Sequence, residues 1–179
     1  MLQPTPLWKQ IFTKRLLACI ITGLASGMPL YILVQMIPTW LRDAQIDLKT
    51  IGLFSLTSLP YVWKFLWAAV FDVPLFKSKN IRRRAWAFIW QVLMVGGLIG
   101  LAFLDPNTEI TLIASLSVLI AVASASQDAV LDAHRREILP DVELGLGSSV
   151  FVNAYRLSSL IPGSLALIIA DQANWRWSF

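Results

Sequence analysis

Cysteine and histidine are nearly absent from this chain, with one of each in 179 residues, and only 15% of its residues are charged. A single cysteine, Cys19, excludes an internal disulfide, and one histidine, His134, beside it in composition excludes a Cys/His zinc site. The sequence also lacks a nucleotide-binding Gly-Lys loop and a Gly-x-Ser-x-Gly nucleophile elbow, so nothing in it argues for an enzyme, a cofactor or a resident metal. Cys19 ends a Leu-Leu-Ala-Cys run, but no apolar segment precedes it, which excludes a lipidation signal. The scarcity of charge is the most telling deficit. A soluble domain of similar size carries about 25% charged residues.

What fills the chain instead is long apolar sequence: 56% of residues are hydrophobic. Runs of about 20 such residues suit spanning helices, and five are present: 16–41, 51–71, 85–104, 110–133 and 148–170. None shows the period-two alternation of barrel strands. The sequence therefore predicts an all-α membrane protein with five transmembrane helices and the start of a sixth at Trp175–Phe179. Two regions follow: a segment 1–15, then 16–179 as an incomplete six-helix bundle.

Lys and Arg gather on cytoplasmic loops. Lys9, Lys14, Arg15, Lys77, Lys79, Arg82, Arg83, Arg84, Arg135 and Arg136 would share one side, against Arg42, Lys49 and Arg176 on the other. The N-terminus is therefore expected in the cytoplasm, and the net charge of +4 reflects topology, with no nucleic-acid partner. Gly23 with Gly27 and Gly96 with Gly100 form small-xxx-small pairs suited to close helix packing. Pro29, Pro60 and Pro162 fall inside spans and predict local breaks in the helix pattern.

Three charges lie within the apolar runs: Lys64, Asp128 and Arg156. Each costs roughly 2.5–3.5 kcal/mol at the centre of a membrane helix, which calls for a partner or a wet path. Each lies about 12 Å inside the cytoplasmic boundary of its span, close to the midplane. An Asp128–Arg156 or an Asp128–Lys64 pair could therefore form. Ser117, Ala121, Ser124, Asp128 and Asp132 follow steps of three or four and share one helix face. Such a small, polar stripe suits a cavity-lining helix. The alternative is a salt bridge that only fixes helix register, with Asp132 paired to Arg135 or Arg136.

Several runs carry a family resemblance. Gly23–Leu30, Ile46–Leu56, Lys64–Trp67, Arg82–Arg84, Ser124–Asp128 with Asp132-Ala133, and Tyr155–Leu157 closely resemble the AmpG family of muropeptide permeases. That family lies in the major facilitator superfamily, in a branch that also holds acetyl-CoA transporters. The resemblance implies the N-terminal half of a permease in the bacterial inner membrane that imports anhydro-muropeptides for cell-wall recycling, coupled to protons. It also implies that Lys64, Gln127, Asp128, Asp132, Tyr155 and Arg156 lie on the proton or substrate pathway. Asp72 with Arg82, Arg83 and Arg84 resembles the superfamily's cytoplasmic gating motif, without its usual glycine. Ala68 and Ala69 stand where relatives usually carry proline, and Ser158 and Pro162 where they carry small residues. A superfamily transporter has a second six-helix half, so the length suggests a truncated frame or a gene fragment. A half-size subunit completed by a second chain, a fragment that does not transport, or a transporter of another substrate such as acetyl-CoA are the alternatives.

Overall fold

The computed structural model describes residues 13–72 and 79–179, apart from the side chains of residues 72 and 79–82. Most of the segment 1–15, together with Lys77 and the Asp72 and Arg82 side chains of the expected gating motif, lies outside the described residues. The described chain is an all-α membrane bundle.

Four helices are long and apolar enough to cross a membrane: α1 (Lys14–Asp43), α3 (Lys79–Leu101), α4 (Ile110–Ile138) and α5 (Asp141–Gln172). The fifth span, α2, is a bent pair, Leu48–Trp63 and Phe65–Phe71, with a 42° angle between its parts. Several helices reach beyond the apolar runs because polar residues can continue a helix past the hydrocarbon. Thr13 caps α1 by accepting from the Leu16 amide at 3.4 Å, and Asp47 caps α2 by accepting from Thr50 at 2.9 Å. Leu139 in an extended conformation, followed by Pro140, stops α4.

The corner between α1 and α2 is tight. The Ile46 amide donates to the Leu41 carbonyl and that of Gln45 to Arg42, each at 3.0 Å. This double closure needs a left-handed residue, and Gln45 supplies it at φ 61°.

The membrane prolines differ in their helix geometry. Pro29 stays within regular α-helix, Pro38 lies just after a π-helical turn at Ile32–Met36, and Pro162 lies inside another at Ile161–Leu165. Pro60 follows a 3-10 stretch at Phe54–Ser58, and α2 also ends in 3-10 geometry at Ala69–Asp72. The two π turns pack on each other, and Gly163 makes room there for Gln35: a Cβ added to it would stand 2.5 Å from the Gln35 Oε1.

The packing has two centres. At the Asp43 end, Leu33, Ile37 and Leu41 of α1 join Phe54, Met94, Leu101, Ile113 and Ile120. At the Lys14 end, Leu16 and Cys19 meet Leu139 and Phe151. Between them α1 and α5 touch through backbone. A Cβ on Gly23 would come within 2.6 Å of the Phe151 carbonyl, and one on Gly27 within 2.5 Å of that of Tyr155. The expected pair on α3 is shifted by one residue. Gly96 faces open space, whereas Gly97 meets Ile120 and Gly100 meets Leu116 of α4.

Candidate functional site

Between the two cores lies a cavity of about 410 Å³ whose lining includes Lys64, Asp128, Asp132, Tyr155 and Arg156. Helix geometry explains how they meet. Asp128 and Asp132 are four residues apart on α4, so both carboxylates face α2. Lys64 sits in the break of α2, and its ammonium reaches across to Asp132 Oδ2 at 3.3 Å and Asp128 Oδ2 at 3.9 Å. Of the two pairings open to Asp128, the structure thus makes the one with Lys64. Asp132 also receives Arg135 at 3.1 Å, and that guanidinium lies 4.2 Å over the Phe151 ring.

Asp128 is the buried member of the group, its side chain 8% exposed against 41% for Asp132. Its second oxygen accepts a hydrogen bond from the hydroxyl of Ser26, itself 2% exposed. Ser26 was not among the residues singled out from sequence, although it sits in the Gly23–Leu30 run. Its position between two glycines that press α1 onto α5 is the signal that could have found it. Arg156 is different. It is exposed, lines the same cavity, and makes no ion pair among the described residues.

All three tyrosines of the chain, Tyr31, Tyr61 and Tyr155, line this cavity. Tyr31 and Tyr155 form a tilted pair with ring centres 5.9 Å apart. The space therefore combines aromatic faces, a carboxylate pair held by an ammonium, and an open guanidinium. It can bind an organic anion with flat or ring-shaped parts, and its Asp–Lys contacts can respond to a proton.

Gln127 lies elsewhere. It precedes Asp128, lies on the next face of α4 and donates through Nε2 to the Gln91 Oε1 of α3 at 2.8 Å. The outer part of the polar stripe is not at the cavity either. Ser117, Ala121 and Ser124 are buried in helix contacts, and Ser117 donates to the Ile113 carbonyl at 2.7 Å. Small residues share a face with cavity residues because both roles favour a helix surface without bulk. Trp67, beyond the α2 break, donates to the Ser126 hydroxyl at 3.0 Å and anchors that half to α4. Ser158 is fully buried, and a Cβ on Gly27 would run into its hydroxyl.

Of the expected gating residues, Arg83 is buried and bridges α3 to α4 through Glu137 at 3.3 Å, while Arg84 is exposed. The described residues contain no cluster of three or more His, Cys, Asp or Glu able to hold a metal ion.

A family model described as acetyl-coenzyme A transporter 1 matches residues 16–116, more than half of the chain. The chain belongs to this transporter family. The match covers α1 to α3 and the first turns of α4, so it includes Lys64 but ends before Asp128. Curated relatives of this family member extend further. An anhydromuropeptide permease of Escherichia coli K12 is 43% identical over 86% of the chain, which covers 31% of that protein. An uncharacterized protein of Haemophilus influenzae is 46% identical over 95% of the chain and 40% of its own length. A Rickettsia conorii protein with the provisional name transporter AmpG 1 is 35% identical over 83% of the chain and 36% of its own length. The chain thus spans two fifths or less of these relatives.

Proposed function

We propose that this chain forms the charged, membrane-embedded cavity of a permease that moves anhydromuropeptides into the bacterial cytoplasm together with protons. The observation that carries the reading is the division of labour between the two cations. Lys64 is committed to Asp128 and Asp132, while Arg156 stands open on the same cavity. Arg156 would meet the anionic group of the substrate, and the tyrosines would flank its ring systems. Asp128 would be the proton-linked carboxylate: protonation removes its attraction for Lys64, so proton binding and the α2–α4 contact are coupled. The 43% identity to an anhydromuropeptide permease supports this substrate. The family description, acetyl-coenzyme A transporter 1, supports the same mechanism with another anion.

The reading places the protein in the inner membrane with Lys14 and Arg15 at the cytoplasmic face, where Arg83 and Glu137 close one end of the bundle. Helices beyond those of this chain, on the same or a second polypeptide, would complete the pathway, since the relatives are more than twice as long.

Uptake of labelled anhydromuropeptide into membrane vesicles tests the assignment. Asp128→Asn should abolish the dependence on a pH gradient, and Arg156→Ala should weaken substrate binding by roughly tenfold, the value of a lost charged contact. Full, gradient-dependent uptake by both variants would overturn these roles. Competition by acetyl-CoA without competition by unlabelled muropeptide would assign the other substrate.

A further inference from the structure

A second, smaller groove lies outside the transport cavity, between the Lys14-end halves of α3 and α4. It encloses about 100 Å³ and is lined by Arg83, Arg84, Ala87, Val130, Leu131 and His134. We propose that it binds the phosphate of an anionic phospholipid, held by Arg84 and His134.

Three observations lead there. First, His134 lines the groove, and its Nδ1 is buried with no hydrogen-bond partner among the described residues. A buried polar nitrogen ordinarily has a partner, and a turn of the imidazole within the groove it lines would bring this one to a polar atom of a bound ligand. Second, the charge around the groove is unevenly spent. Arg83 is bonded to Glu137, whereas Arg84 lines the groove and is exposed, so its guanidinium can serve as a phosphate donor. Third, the remaining walls are apolar, and α3 continues away from them with Phe88 70%, Val92 54% and Val95 47% exposed. In a membrane helix that packs chiefly on α4, those side chains meet acyl chains.

The level is also right. His134 lies four residues from the end of α4, or about 6 Å along the axis, and Arg84 five from the start of α3, or about 7.5 Å. Both therefore sit near the depth of headgroup phosphates. A free phosphate would satisfy the two donors but gain nothing from Ala87, Val130 and the α3 face, whereas a phospholipid uses both parts.

The test uses the whole chain, purified in detergent and titrated with dioctanoyl-phosphatidylglycerol, dioctanoyl-phosphatidylcholine or inorganic phosphate, with native mass spectrometry and thermal unfolding as readouts. Saturable binding of the glycerol lipid is expected, with the choline lipid and phosphate at least about tenfold weaker. Arg84→Gln removes the charge on an exposed side chain, and Ala87→Trp fills the groove while keeping every charge. Each should weaken binding about tenfold, while Arg176→Gln at the opposite end should leave it unchanged. Equal binding of the two lipids, undiminished binding by both groove variants, or an equal effect of inorganic phosphate would each overturn the proposal. None of these readouts depends on transport.

Discussion

Each oxygen of Asp128 meets a different kind of partner. Oδ1 accepts from the Ser26 hydroxyl, while Oδ2 faces the Lys64 ammonium at 3.9 Å. A hydroxyl can donate to a carboxylate or accept from a carboxylic acid, so the link to α1 survives protonation; the attraction of Lys64 does not. Lys64→Met should leave Asp128 buried without its counter-charge and cost about 1–3 kcal/mol. Reversible unfolding of the purified chain measures this, and wild-type stability would show that water already screens the pair. At the corner, Gln45 holds a left-handed conformation that costs a side chain about 1–2 kcal/mol. Gln45→Gly should therefore stabilise the chain by about 1 kcal/mol in the same assay. Asp47 outside the membrane is held below the usual carboxylate range by its bonds to the Thr50 side chain and amide. Its capping contribution is complete above the ordinary carboxylate pKa and fades as pH falls through the lowered value. Protection of the Thr50 amide, measured as its exchange rate relative to an unstructured peptide at the same pH, should fall on that acidification, and Asp47→Ala should remove it at every pH.

At the scale of helices, the α3 glycines separate what sequence spacing can and cannot resolve. Gly96, Gly97 and Gly100 all offer small surfaces, and the spacing rule selects Gly96 with Gly100. The helix rotation puts Gly97 against Ile120 and leaves Gly96 open. Gly97→Leu should cost about 1–3 kcal/mol by overpacking, whereas Gly96→Ala should be neutral or stabilise by up to about 1 kcal/mol. A comparison of their unfolding midpoints checks the rotation directly. The prolines carry a similar lesson. Their presence suggests irregular helix, but only the fold decides between regular α-helix, as at Pro29, a π turn, as at Ile161–Leu165, and the 3-10 geometry before Pro60.

Across the whole molecule, the apolar runs made the all-helical membrane class legible, because burial in lipid demands length and apolarity that leave few other readings. The common level of Lys64, Asp128 and Arg156 was legible from depth, since helices of known rise place residues at computable levels; that they line one cavity came from the structure. Azimuth was not legible. Gln127 neighbours Asp128 in sequence yet bonds to Gln91 on α3, because adjacent residues on a helix point about 100° apart. The pairing of Asp128 with Ser26 was equally hidden, since serine in a small-residue run reads as packing until a facing helix supplies the acceptor.

Gly23 and Gly27 have a mechanical consequence as well as a packing one. With no room for even a methyl group between α1 and α5, and Tyr31 against Tyr155 across the same seam, these two helices form one plank. Ser26 fastens that plank to α4. Among the described residues, the cavity wall left with an articulation of its own is α2, whose 42° bend falls where Lys64 reaches for its two carboxylates. The ion pairs of Lys64 therefore sit at the bend itself, where with the Trp67–Ser126 hydrogen bond they tie both halves of α2 to α4.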